Sequence, residues 1–199
     1  MFLSKVFVDW QWSKNPYQIH RALWRLFPNQ SDAEREFLFR VEHAQPGRGS
    51  LLLLQSEMEP ISAEVANVVA SKLVNYEISH DALLRFRLRA NPIKTIKDER
   101  QRVNARGEIK SCRVPLVHEE EQLQWLERKL LGAASLQFAQ AIKEAPLFFR
   151  KQDRGGKIQP ICFEGVLTVT DPGRFQSLLT QGVGPAKGMG CGLLSVARA

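Results

Sequence analysis

Four histidines are the side chains of this chain best suited to moving protons near neutral pH. Three read as solvated or structural: His43 ahead of a loop, His80 in a turn before Asp81, and His118 at the start of a glutamate-rich helix. His20 differs. Tyr17 lies three residues earlier, so a helix puts both on one face. His20 sits beside the apolar stripe of Ile19, Leu23 and Leu26 without belonging to it. An imidazole and a phenol so placed could serve a proton-transfer reaction. A lone helical histidine satisfied by its neighbours has the same sequence signature, so the structural alternative stays open. No set of Asp, Glu, His or Cys has the spacing of a zinc or two-metal site, so we expect neither a metal nor a small-molecule cofactor. If the substrate is RNA, the expected nucleophile is its own 2′-OH, with His20 handling protons.

The positive charge points to such a substrate. The chain has 199 residues and a net charge of +7. Between Arg85 and Arg113 stand ten basic and three acidic residues, a local excess equal to that net charge. Arg85, Arg87 and Arg89 alternate with Leu84, Phe86 and Leu88, so a strand there would carry a row of guanidinium groups on one face. Guanidinium forks suit phosphate oxygens, and Lys94 extends the run. A second cluster, Arg150, Lys151, Arg154 and Lys157, flanks the turn signal Asp153-Arg154-Gly155-Gly156. A basic hairpin fits a nucleic-acid groove, although an ordinary charged turn has the same letters.

Near the end, Gly182-Val183-Gly184-Pro185-Ala186-Lys187-Gly188-Met189-Gly190-Cys191-Gly192 holds five of the thirteen glycines. Such a loop can aim backbone N–H groups at an anion, with Lys187 adding charge. It is no P-loop, because Gly188 follows Lys187 where Ser or Thr is needed. Nor is it a dinucleotide fingerprint, because the order is helix, loop, strand. A loop gripping a phosphate backbone through Lys187, Gly188, Gly190 and Gly192 stays open, as does an ordinary turn.

The elements that must position these groups alternate in type. Strands are expected at Phe2 to Asp9, Phe37 to Val41, Leu51 to Gln55, Val74 to Ile78 and Leu83 to Ala90. Helices are expected from Asn15-Pro16 to Phe27, stopping at Pro28-Asn29, and from Ser62 to Ser71 with Val65, Val68 and Val69 inward. That order is β-α-β-β-α-β, the ferredoxin-like unit. A second half repeats it: a strand at Arg113 to Val117, a helix from Glu119 to Leu131, strands near Leu147 to Phe149 and Lys157 to Thr170, a helix at Asp171 to Gln181, and a strand at Leu193 to Val196. We expect an α+β chain of two tandem ferredoxin-like domains, 1–90 and 91–199. The scattered Cys112, Cys162 and Cys191 fit a reduced, cytoplasmic compartment. The start carries Lys5 too early for a signal peptide, and the apolar run Leu51 to Leu54 is too short to span a membrane.

Several of these pieces together resemble the CasE-type endoribonucleases of CRISPR systems, subunits of the Cascade complex. They are Tyr17-Gln18-Ile19-His20, the run Phe86-Arg87-Leu88-Arg89-Ala90-Asn91-Pro92-Ile93-Lys94-Thr95, Gly156-Lys157-Ile158-Gln159 with Phe163-Glu164-Gly165, and the closing glycine loop. The loop fits the wider repeat-associated RNA-binding superfamily. The resemblance implies binding of the repeat stem-loop of precursor CRISPR RNA, metal-independent cleavage at the 3′ side of the stem, and association with other Cascade subunits. It assigns proton transfer to His20 with support from Tyr17, and a groove contact to the hairpin bearing Lys157. A non-catalytic RNA-binding scaffold of the same fold is the alternative.

Overall fold

The computed structural model describes residues 1–28, 36–151 and 154–199. The first half runs β1 (Phe2–Asp9), α1 (Trp10–Ser13), α2 (Pro16–Trp24), β2 (Phe37–Gln45), β3 (Gly49–Ser56) and β4 (Ala66–Leu73). Its sheet is antiparallel in the order β2-β3-β1-β4. Helix α2 begins where it does because Pro16 supplies a pre-set φ and the Asn15 side chain accepts from the Gln18 N–H at 3.0 Å. Ile19, Ala22 and Leu23 then bury against Val6, Phe39, Leu52 and Leu54 of the sheet. Burying such side chains stabilises by about 1.5–3 kcal/mol each, which fixes the helix and everything it carries.

The second half runs β5 (Leu83–Ala90), a separate hairpin β6 (Ile93–Lys97) and β7 (Ser111–Pro115), α3 (Glu119–Leu130) and β8 (Ala134–Lys143). A second hairpin, β9 (Leu147–Lys151) and β10 (Arg154–Ile158), leads to β11 (Ile161–Val169), α4 (Pro172–Gln181), a 3-10 turn at Lys187–Met189 and β12 (Leu194–Arg198). The main sheet is ordered β12-β5-β11-β8. Counting strands within each half, both sheets have the order 4-1-3-2. The protein is therefore α+β, built from two tandem ferredoxin-like domains. Phe86, Leu88, Phe163 and Leu167 face Trp125, Leu126 and Phe175 of the two helices in the second core.

The structure corrects several expectations. Residues 62–71 do not form a helix. Ala66–Leu73 is instead an edge strand on β1, with β-branched Val68 and Val69 in it, and Val69 is exposed. Residues 74–78 form no strand but a connector, whose Tyr76 and Ile78 pack on the second core. The strand Leu83–Ala90 lies at the centre of the second sheet, between β11 and β12. A boundary after Ala90 would cut that sheet, and we propose one within residues 74–82. Gly155 and Gly156 of the expected turn lie within β10; residues 152 and 153 fall outside the described residues, as does Asn29 at the expected helix stop.

Polar side chains join the two halves. The buried Arg40 on β2 donates through Nη1 to Arg87 O at 3.1 Å and Ser195 Oγ at 2.9 Å. Glu42 accepts from Arg40 Nε at 2.7 Å and from Arg87 Nη1 at 3.3 Å. Gln55 donates to Leu179 O at 2.7 Å. Burying these groups is tolerable because each finds a partner on the other domain, so the halves are held in one orientation.

Candidate functional site

His20 is half-buried on α2. Its ring lies 5.6 Å from that of Phe37 and 6.2 Å, edge-on, from that of Trp24. Trp24 and Phe27 in turn pack on Phe37 at 5.3 and 5.5 Å. The imidazole is thus walled by aromatic rings that restrict its swing. Tyr17 sits one turn earlier and is also half-buried. Arg21 on the same helix and Arg25 at its C-cap lie 5.9 and 5.2 Å from the ring of Trp12, a cationic flank built by cation–π contact. Helix α2 touches two elements of the second domain: the 3-10 turn of the glycine loop and strand β9 of the basic hairpin. The helix that carries His20 therefore lies against residues far away in sequence. The other histidines do not: His80 pairs with Asp81 on the surface, His43 contacts Gln45, and His118 precedes α3.

The glycine loop packs against the first domain. Five of its N–H groups are spent within the fold: Gly182 N on Leu178 O, Val183 N on Gly192 O, Met189 N on Ala186 O, Gly190 N on Lys187 O and Gly192 N on Arg89 O. Lys187 reaches Gln181 O at 2.6 Å. Gly188 lies in the 3-10 turn. What requires glycine is close packing across the domains. Gly182 and Gly190 take φ of 75° and 80°. A Cβ would come within 2.7 Å of Leu38 at Gly182, and 3.1 Å of Phe39 at Gly190. The loop is a spacer-free seat for the first domain. Gly190→Val should therefore cost about 1–3 kcal/mol from backbone conformation alone. It should lower the thermal midpoint and, by moving the loop that touches α2, slow turnover more than it weakens binding. An unchanged melting curve would show that the seat tolerates a side chain.

The arginine row is also partly neutralised. Arg87 forms ion pairs with Glu42 at 3.3 Å and Glu164 at 2.9 Å. Its guanidinium holds its proton more firmly than usual, first through the Cys162 thiol beside it. Arg89 is buried, with Nη2 at 2.6 Å from Glu144, so it is an interior strut rather than a surface contact. Lys94 pairs with Glu121 at 2.9 Å, and this hydrogen bond lowers the Glu121 carboxyl pKa. Arg102 does the same to Asp98 at 2.6 Å. Arg85 stays exposed, its Nε donating to Arg198 O at 3.3 Å. The sequence count missed this neutralisation because Glu42, Glu121, Glu144 and Glu164 lie outside the counted window.

In the hairpin, the register sets Arg154 opposite Lys151 and Gly155 opposite Arg150. The Arg150, Lys151 and Arg154 side chains lie outside the described part. Lys157 Nζ lies 5.5 Å from the ring of Phe148, which is 64% exposed. Phe148 is a residue that sequence reasoning passed over. An exposed aromatic carrying a cation is a surface on which a base can stack. Among the described residues no group of three His, Cys, Asp or Glu side chains is placed to hold a metal ion. No described helix is long and apolar enough to cross a membrane. The three cysteines are free, and burial pushes the Cys191 thiol up to about 12.

Two ferredoxin-like domains and a histidine-bearing helix that touches both the glycine loop and a hairpin rich in basic residues are features of the nucleic-acid-binding class. Comparison with known proteins names the family. The model of the CRISPR-associated protein family matches residues 1–198, and the chain belongs to that family. It is 50% identical over 197 residues to the CRISPR system Cascade subunit CasE of Escherichia coli (strain K12), covering 99% of each chain. It resembles the crystal structure of Cas6e from E. coli K-12 with a TM-score of 0.88 and 48% identity, covering both chains completely. The CRISPR endoribonuclease Cse3 bound to a 19-nucleotide RNA matches with a TM-score of 0.76 and 33% identity, over 99% of this chain and 100% of that one.

Proposed function

We propose that this protein is an endoribonuclease that binds the repeat stem-loop of precursor CRISPR RNA, cleaves it on the 3′ side of the stem and remains with the product as a Cascade subunit. The observation that carries the reading is that the helix bearing His20 lies against both the turn of the glycine loop and strand β9 of the hairpin. Its relatives act as endoribonucleases and as Cascade components. The hairpin cations, with Arg85, suit the phosphates of the stem. Lys94, paired with Glu121, and Lys187, bonded to Gln181 O, are further candidate contacts. The scissile phosphodiester would lie over α2. There the 2′-oxygen attacks phosphorus as the 5′-oxygen departs, one P–O bond forming as the other breaks. A proton leaves the 2′-OH and another reaches the 5′-oxygen; His20 serves one of these transfers, and Tyr17 orients the phosphate or the imidazole. The three free thiols fit a cytoplasmic setting.

Incubation with repeat stem-loops in excess EDTA is the direct test. The expected products are a 2′,3′-cyclic phosphate, or its hydrolysed form, and a 5′-hydroxyl fragment. Binding should also weaken steeply with added salt, because neutralised phosphates release counterions. Cleavage only when magnesium is restored would refute the metal-independent mechanism.

A further inference from the structure

A cavity of about 450 Å³ opens in the second domain. Seven elements or their ends converge on it: the end of β5, both strands of the first hairpin, α3, the end of β8, β10 and the glycine loop. Its polar lining has an unusual composition. Asn91 is 7% exposed, and its Oδ1 is buried without a hydrogen-bond partner among the described residues. An orphan acceptor of this kind costs about 1–3 kcal/mol, so it asks for a donor. Gln122 uses its amide N–H groups on Leu116 O at 2.9 Å and Val117 O at 3.4 Å. Gln159 uses its own on Glu144 O at 2.6 Å and Pro160 O at 3.3 Å. With their donors spent, both glutamines have oxygen left to offer.

Three cations, Arg113, Lys143 and Lys157, complete the polar part, and no described carboxylate lines the cavity. None of the three forms an ion pair among the described residues. Ile93, Pro115, Ile158 and Pro185 supply apolar walls. The ligand that matches is anionic, planar and rich in N–H donors on one edge. We propose that the cavity takes a single unpaired nucleotide next to the RNA stem, its phosphate on the cations and an amino-bearing base, adenine, cytosine or guanine, against Asn91. Uracil fits poorly, because its one edge N–H lies between two carbonyl oxygens that would face the amide oxygens of the site. The cavity volume lies within the range of nucleotide-sized sites. Its place gives the site a purpose. Pro185 and Ala186, which line it, run directly into the turn Lys187–Met189 that touches α2. A nucleotide held here would set the path of the strand relative to His20.

This inference rests on the RNA-binding reading above, and the experiment separates the two. Affinities are measured by fluorescence anisotropy for stem-loop RNAs in which each unpaired position in turn is abasic or uracil. Wild-type protein, Asn91→Leu and Lys143→Gln are compared; Lys143 is exposed, so its variant preserves a readout where the Asn91 variant fails to fold. One position should lose about tenfold in affinity on base removal with wild-type protein. That loss should shrink in Asn91→Leu, and the loss in Lys143→Gln should appear for the intact RNA but not add fully to base removal. Equal losses in all three proteins at every position would overturn the pocket while leaving RNA binding intact. No binding of any stem-loop by the wild type would overturn the underlying reading and the pocket with it.

Discussion

His20→Ala should lower the cleavage rate about 10²–10⁴-fold while leaving stem-loop affinity within about twofold. The asymmetry follows from where the groups lie. The hairpin and arginine cations sit on the second domain, whereas His20 sits on α2 of the first. Removing an imidazole takes away a proton carrier and leaves the phosphate contacts. It also removes a ring packed on Phe37 and Trp24, so some loss of stability is expected. Single-turnover cleavage at saturating protein separates this from weakened binding. Tyr17→Phe should cost less, because it deletes one hydroxyl and keeps the ring. Equal loss of cutting and binding in His20→Ala would make this residue structural, as in a non-catalytic scaffold.

The second large effect concerns Arg89, for which an RNA contact was the sequence expectation. Its side chain is 9% exposed, and its ion pair with Glu144 at 2.6 Å lies beneath Gly190. Arg89→Ala should destabilise the protein by about 3 kcal/mol, since one member of a buried pair is left alone. For a chain of this size that is a fall of about 6–12 °C in the thermal midpoint. Below the new midpoint, the slope of affinity against salt should stay the same. A double variant with Glu144→Gln should lose less than the two single losses combined, since the pair is removed together. A flattened salt slope with full stability would instead return Arg89 to the RNA surface.

What could be read from the sequence, and what could not, divides along physical lines. Helices α2, α3 and α4 were legible because their ends carry local signals: Asn15-Pro16, three glutamates after His118, and Asp171-Pro172. The strand β4 was misread because Val65, Val68 and Val69 recur at helical spacing, while the pairing with β1 that decides the matter is long-range. The ten-residue β8 was missed because an edge strand with exposed Phe138 and Ile142 lacks a clean alternation. The home of β5 depended on partners in β11 and β12, which nothing near Leu83–Ala90 announces. His20 and Tyr17 could be singled out from helix spacing alone. Of the walls around His20, Trp24 lies one turn along the same helix, whereas Phe37 could not be read because it comes from β2. The orphan acceptor on Asn91 and the pairing of the arginines are likewise products of folding, invisible until the partners are in place.

The central claim is that the RNA supplies its own nucleophile at a site organised by His20. It is tested most directly by one substrate: a stem-loop with a single 2′-deoxy nucleotide at the position 5′ to the scissile phosphate. The account predicts wild-type binding and no cleavage at that bond, with cutting of the all-ribose control leaving a cyclic phosphate in the presence of EDTA. Cleavage of the deoxy substrate at a comparable rate would contradict it, because the attacking oxygen would then have come from elsewhere.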